Sequence, residues 1–271
     1  MLELFSLTFF QNAIVAAVLV SIVCGIIGVL IMINRLFSMA GGITHGAFGG
    51  IGLAFYFSLP ILLSTSIWTL FLAFFLAYLN KYYKNRSDNI IAVIWAFGMA
   101  FGIILIDLSP GYNTDLMAYL FGNILAVSAN DLWLMGSVDV LVIALIICFY
   151  RQFEVLSFDE EFAKVKGIHT TFFHFLLIAM MAFCIVISMR LVGLILIMAL
   201  LSIPSFIAEN LTKKLGSMMT VSAILSAIFC MLGLIVSYSF NLASGACIIA
   251  VACLAFVINF ICSNFLFFKK N

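Results

Sequence analysis

Nine stretches of this chain are long and apolar enough to cross a lipid bilayer: 8–34, 41–60, 61–80, 89–108, 131–150, 171–189, 191–208, 217–239 and 245–267. A helix of about 20 apolar residues spans the hydrocarbon core. The chain therefore reads as an all-α, polytopic membrane bundle of eight to nine transmembrane helices in one domain over residues 1–271. Of its residues 66% are hydrophobic and 8% charged, whereas soluble domains are roughly half apolar and about a quarter charged. The 41–60 stretch is short, glycine-rich and followed by Pro60, so eight spans is the alternative count. Ala118–Ser128 is apolar but too short to cross, and reads as a re-entrant or interfacial helix.

The charges test that count, because bases accumulate on the cytoplasmic side. With nine spans and the N-terminus outside, one face receives Arg35, Lys81, Lys84, Arg86, Arg151, Lys164, Lys166, Lys213, Lys214, Lys269 and Lys270. The other receives Glu3, Asp107, Asp115, Asp131 and a single base, Arg190. The C-terminus then lies in the cytoplasm. The acidic outer face is either what the bases leave behind or a mouth that concentrates cations. The formal net charge of +1 suggests no nucleic-acid partner. The N-terminus MLELFSLTFFQN carries Glu3 where a cleaved signal peptide has bases, so no such peptide is expected.

Within Arg35–Ala54, RLFSMAGGITHGAFGGIGLA, one histidine stands among glycines and alanines. A polar ring at membrane depth is costly unless it faces a cavity or a partner. Surrounding glycines let helices approach closely. His45 therefore marks a pathway for something small and polar, with Gly41, Gly42, Thr44 and Gly49 as its candidate lining. Asp139 is a second candidate for that lining: it falls about two turns inside the fifth span, or near a solvated interface if the span starts later.

Two polar segments face the cytoplasm. In 151–170, RQFEVLSFDEEFAKVKGIHT, Ser157 is placed to cap a short helix that begins with Asp159–Glu161 and ends at Gly167. It reads as a solvated connector or as a surface helix meeting a partner. In 202–218, SIPSFIAENLTKKLGSM, Pro204 is expected to bend the end of its span, and Glu209, Asn210, Thr212, Lys213, Lys214 and Gly216 read either as a simple turn or as a compact polar knob able to transmit force. No catalytic triad, Walker phosphate loop or His-Glu-x-x-His metal motif occurs, so no catalytic residue is expected and this chain does not itself hydrolyse ATP through a Walker site. His169 and His174 are expected at the membrane surface. The seven cysteines lie in apolar segments without Cys-x-x-Cys pairs and read as packing residues.

Five blocks, in order, carry a resemblance: Arg35 with THGAFGG; DLMAYLFGNILAVSANDLW; FDEEFAKVKGI; RLVGLILIMALLSIPSFIA; and LIVSYSFNLASGA. The chain resembles the permease subunit of zinc, manganese and iron importers of the ATP-binding-cassette class, relatives of the type II vitamin B12 and siderophore importers. The resemblance implies a homodimer around a central pathway, two cytoplasmic ATPase subunits that hold ATP, and an extracytoplasmic protein that delivers the metal. It implies an inner-membrane location and no permanently bound cofactor, the divalent metal ion being cargo. Pro204, Glu209, Asn210, Lys213, Lys214 and Gly216 then belong to the loop that couples to the ATPase. Glu161, Ala163 and Gly167 would make a second contact beside it. His45 is the implied metal residue. Many family members place an aspartate four residues before it, on the same helix face; here that residue is Gly41, and the family's proline is replaced by Gly49. A permease for a metal chelate or small cofactor is the alternative, and a secondary transporter without an ATPase a third.

Overall fold

The structure, a computed structural model, describes residues 8–83, 86–109, 122 and 124–268. In chain order its helices are α1 (Thr8–Ile33), α2 (Phe37–Gly46), α3 (Phe48–Tyr56), α4 (Ile61–Tyr82), α5 (Ser87–Asp107), α6 (Ala129–Cys148), α7 (Tyr150–Phe158), α8 (Glu160–Val165), α9 (Thr170–Val192), α10 (Leu194–Leu211), α11 (Leu215–Phe240) and α12 (Ser244–Phe268). Eight of them, all but α2, α3, α7 and α8, are long and apolar enough to cross a membrane. The protein is a multi-pass membrane protein, and eight of the nine apolar runs recur as single helices.

The exception is 41–60. It forms α2 and α3, of 10 and 9 residues, which meet at Ala47. At 1.5 Å per residue each reaches only about 15 Å. The joint is nonetheless nearly helical: Ala47 has φ −58 and ψ −23, and its carbonyl accepts from the amides of both Gly50 (3.0 Å) and Ile51 (3.3 Å). Together Phe37 to Tyr56 extends about 30 Å, enough for one span. The expected helix over Ala118–Ser128 lies partly outside the described residues; its described end holds a 3₁₀ turn at Ile124–Ala126.

The chain divides into two compact units. One comprises Met1–Met32, Met117–Val140 and Leu191–Asn271. In it α10, α11 and α12 share an apolar core of Ile207, Phe229 and Ala252. Glycines bring α1 against its neighbours: a methyl group on Gly25 would stand 2.5 Å from the backbone of Ala223, and one on Gly28 would strike the Leu201 carbonyl. Two buried hydroxyl contacts lie in the same unit: Ser205 to Ser222 at 3.2 Å and Ser21 to the Ala17 carbonyl at 2.6 Å.

The other unit comprises Ile33–Leu116 and Leu141–Arg190. Its tightest feature is the approach of α5 to the α2–α3 pair. A methyl on Gly98 would lie 2.6 Å from the Gly46 Cα, and one on Gly102 would collide with the Phe48 carbonyl. Gly98 and Gly102 form a Gly-x-x-x-Gly pair, the spacing that lets helix backbones touch.

Candidate functional site

His45 lies near the end of α2, two residues before the Ala47 joint. The tightened turn there explains the local chemistry. In an unbroken helix the Gly50 amide would bond the Gly46 carbonyl; instead it turns to Ala47. The Gly46 carbonyl left over accepts from the indole Nε1 of Trp68 on α4, at 2.9 Å. The same indole rests on Gly49, where an added methyl would stand 2.6 Å from Nε1, and stacks on Phe101 of α5 at 5.5 Å between ring centres. One tryptophan thus clamps the joint that carries His45.

A second tryptophan holds His45 itself. Its imidazole stacks on Trp95 of α5, with ring centres 4.1 Å apart and planes inclined by 12°. Nδ1 is buried and meets no hydrogen-bonding group. The ring as a whole is half-buried. Such a histidine offers a neutral nitrogen donor to an ion, suited to zinc, iron and related metals.

The expected lining residues divide. Gly41 is buried on α2 one turn before His45. Thr44 is fully buried and its hydroxyl donates to the Ala40 carbonyl at 2.6 Å, so it presents little to a passing solute. Gly42 and Gly49 fit the close helix packing expected of these glycines. The place of a side chain at Gly42 is taken by Ile91, 2.7 Å away, and at Gly49 by Trp68. Both glycines make space for neighbouring helices. Asp139 lies in the middle of α6 at 3% exposure, so the interfacial reading is set aside. Both of its carboxylate oxygens are buried without a hydrogen-bond partner.

In the first polar segment the helix cap is Asp159, not Ser157. The Asp159 carboxylate accepts from the Phe162 amide at 2.9 Å, while the Ser157 hydroxyl accepts from the Asn34 amide nitrogen at 2.9 Å. Gly167 does end α8: it has φ +75, and the amides of Gly167 and Ile168 reach back to the carbonyls of Lys164 and Ala163, each at 3.0 Å. This is the paired-bond arrangement that a left-handed glycine permits. Hydrogen bonds that the Lys164 ammonium donates to the carboxylates of Glu161, then Glu160, hold it above its ordinary range. Glu161 and Gly167 are exposed. Ala163 is wholly buried, which removes it from any surface offered to a partner.

In the second segment α10 runs on past Pro204 to Leu211, and Pro204 is buried. The polar knob is therefore shorter than expected. Glu209 and Asn210 end α10, Thr212–Lys214 turn the chain, and Gly216 lies in the first turn of α11. Glu209, Asn210, Lys213 and Lys214 are exposed. Pro204 can act by shaping the helix, not by touching a partner. Among the acids expected outside, Asp131 completes a reciprocal cap with Ser128, whose hydroxyl donates to it at 2.6 Å; Glu3 and Asp115 lie outside the described residues. His169 is exposed and His174 half-buried. Cys24, Cys184, Cys230 and Cys247 are buried, and none of the seven cysteines is in a disulfide bond. Among the described residues no three of His, Cys, Asp and Glu gather into a metal cluster.

Sequence reasoning singled out His45 and Asp139 but missed Trp95 and Trp68. A signal was present in the Gly-x-x-x-Gly of α5, one turn after Trp95. Known proteins agree with this architecture. The profile of the ABC 3 transport family matches residues 6–263. An uncharacterised membrane protein of Synechocystis is 44% identical over 96% of this chain and 92% of its own length. A manganese transport system membrane protein of Listeria monocytogenes is 33% identical over 97% of this chain and 95% of its own. The solved structure of PsaBC from Streptococcus pneumoniae in complex with a Fab superimposes with a TM-score of 0.85 at 34% identity, covering 96% of this chain and 94% of the other.

Proposed function

The chain belongs to the ABC 3 transport family, and from that premise we propose that it is the permease of an importer for a divalent transition-metal ion: zinc, manganese or iron. The observation that carries the proposal is His45, a half-buried imidazole at the joint of α2 and α3, stacked on Trp95 and with its Nδ1 unpaired. Two copies pair to enclose the path. A separate ATPase subunit binds on the cytoplasmic side and supplies the energy, and an extracytoplasmic binding protein delivers the ion. Relatives from Listeria monocytogenes and Streptococcus gordonii are named for manganese transport, which supports the ion reading. Gly41 in place of a carboxylate leaves imidazole as the donor, a choice compatible with zinc and iron as well. A conduit gains from such a sparse site, because it must release what it binds.

The bases along the proposed cytoplasmic face support an N-terminus outside and a C-terminus inside the cell membrane. The exposed group Glu209, Asn210, Lys213 and Lys214 is fixed to the ends of two spans, and so suits docking to the ATPase; Glu161 and Gly167 offer a smaller second contact. Asp139 is assigned to the path as an acid that no structural bond explains. The test is reconstitution. The chain and the ABC ATPase subunit that co-purifies with it are placed together in liposomes and given manganese, zinc or ferrous ions, free or chelated. ATP-dependent uptake of a free ion supports the proposal. Uptake of the chelate alone favours the wider-cargo reading, and uptake without any ATPase removes the proposal.

A further inference from the structure

A histidine that binds a metal through one nitrogen ordinarily fixes its ring by donating from the other nitrogen to a carboxylate, carbonyl or water. His45 does not have that support: Nδ1 is buried and meets no hydrogen-bonding group. What contacts the ring is an indole face. Trp95 lies parallel to it, with centroids 4.1 Å apart and planes within 12°. The stack is itself built on rigid parts. Trp95 precedes Gly98 by one turn on α5, and Gly98 seats that helix directly on the Gly46 backbone next to His45. The Trp68 clamp holds the Gly46 carbonyl from the other side.

We infer that Trp95 is a positioning residue for the transported ion: its indole takes the place of the missing hydrogen bond, freezes the imidazole in one rotamer and leaves Nε2 as the nitrogen presented to the metal. This rests on the reading of His45 as the metal residue. A freely rotating ring would lose rotamer entropy each time an ion arrives, whereas a stacked ring has already lost it. The role belongs to a flat aromatic face, not to apolar bulk. That distinction makes it testable.

The experiment measures binding of manganese and zinc ions, added alone, to the full-length chain in lipid nanodiscs. Trp95→Phe, Trp95→Leu and His45→Ala are compared with the parent protein, and tryptophan emission is recorded during each titration. Trp95→Phe keeps a ring on the imidazole and is expected to bind within about twofold of the parent. Trp95→Leu fills the space without a plane and is expected to bind about five- to tenfold more weakly, the scale set by an aromatic pair. Metal changes the emission of the parent, and that change disappears in Trp95→Phe. Equal affinities for the Leu and Phe variants overturn the inference, because packing alone then accounts for Trp95. If Trp95→Leu does not fold, a folded Trp95→Phe that has lost fivefold or more of its affinity overturns it equally. Parental affinity in His45→Ala also overturns it, and places the fault in the underlying reading of His45 rather than in the stack.

Discussion

Adding one methyl group at Gly98 should both loosen the fold and disable the His45 site. The added carbon would stand 2.6 Å from the Gly46 Cα, and ordinary contact begins at 3.4 Å. The obstacle is backbone, which has no rotamer to escape into. Helix α5 must therefore move about 0.8 Å away from α2. Overpacking of this kind costs about 1–3 kcal/mol, and the better helix propensity of alanine returns up to about 1 kcal/mol. A net loss of about 1–2 kcal/mol corresponds to a fall of roughly 3–6 °C in the unfolding midpoint for a chain of this size. Because Trp95 rides on the same helix, its 4.1 Å stack on His45 opens by a comparable amount, and metal affinity falls with it. Gly136 supplies the control, since a methyl there meets nothing within 4 Å. Gly136→Ala should match or slightly exceed the parent in stability. Thermal unfolding of both variants in nanodiscs, followed by the metal titration, reads the two effects together. A Gly98→Ala protein as stable as Gly136→Ala would refute the claim that α5 rests directly on the α2 backbone.

Trp68→Phe removes the donor to the Gly46 carbonyl and should cost about 1–3 kcal/mol, the range for leaving a buried acceptor unmade; an unchanged unfolding midpoint would show that the indole bond does not hold the α2–α3 joint. Asp139→Asn replaces a buried, unpartnered carboxylate by an uncharged group of the same shape, which is cheaper to bury. Its stability should equal or exceed that of the parent while its uptake falls. Lost stability with normal uptake would mean that Asp139 serves the fold.

Much of this architecture was legible in the sequence, because membrane spans announce themselves by length and apolarity alone. The eight long helices follow from their runs. The 41–60 run was ambiguous for a reason now visible. Its joint at Ala47 depends on where the Gly46 carbonyl finds a donor, and the donor is an indole 22 residues away. No local rule reports that. The cap of α8 was misjudged between two suitable residues, since Ser157 is claimed by Asn34 across the fold. His45 stood out because a lone imidazole in an apolar run is rare. Its stacking partner did not, because Trp95 is an ordinary aromatic until Gly98 and Gly102 bring its helix into contact. At Gly42 and Gly49 glycine leaves room for a solute and for a neighbouring side chain equally well, and Ile91 and Trp68 stand where a side chain there would point.

The central claim is that this chain carries a metal ion past His45. Whole-cell elemental analysis under metal limitation tests it most directly, in cells lacking the chain, cells with it restored and cells carrying His45→Ala at matched expression. The account predicts that one element among manganese, zinc and iron falls in the deletion, recovers with the intact chain and stays low with His45→Ala. Full recovery of that element by His45→Ala would contradict it.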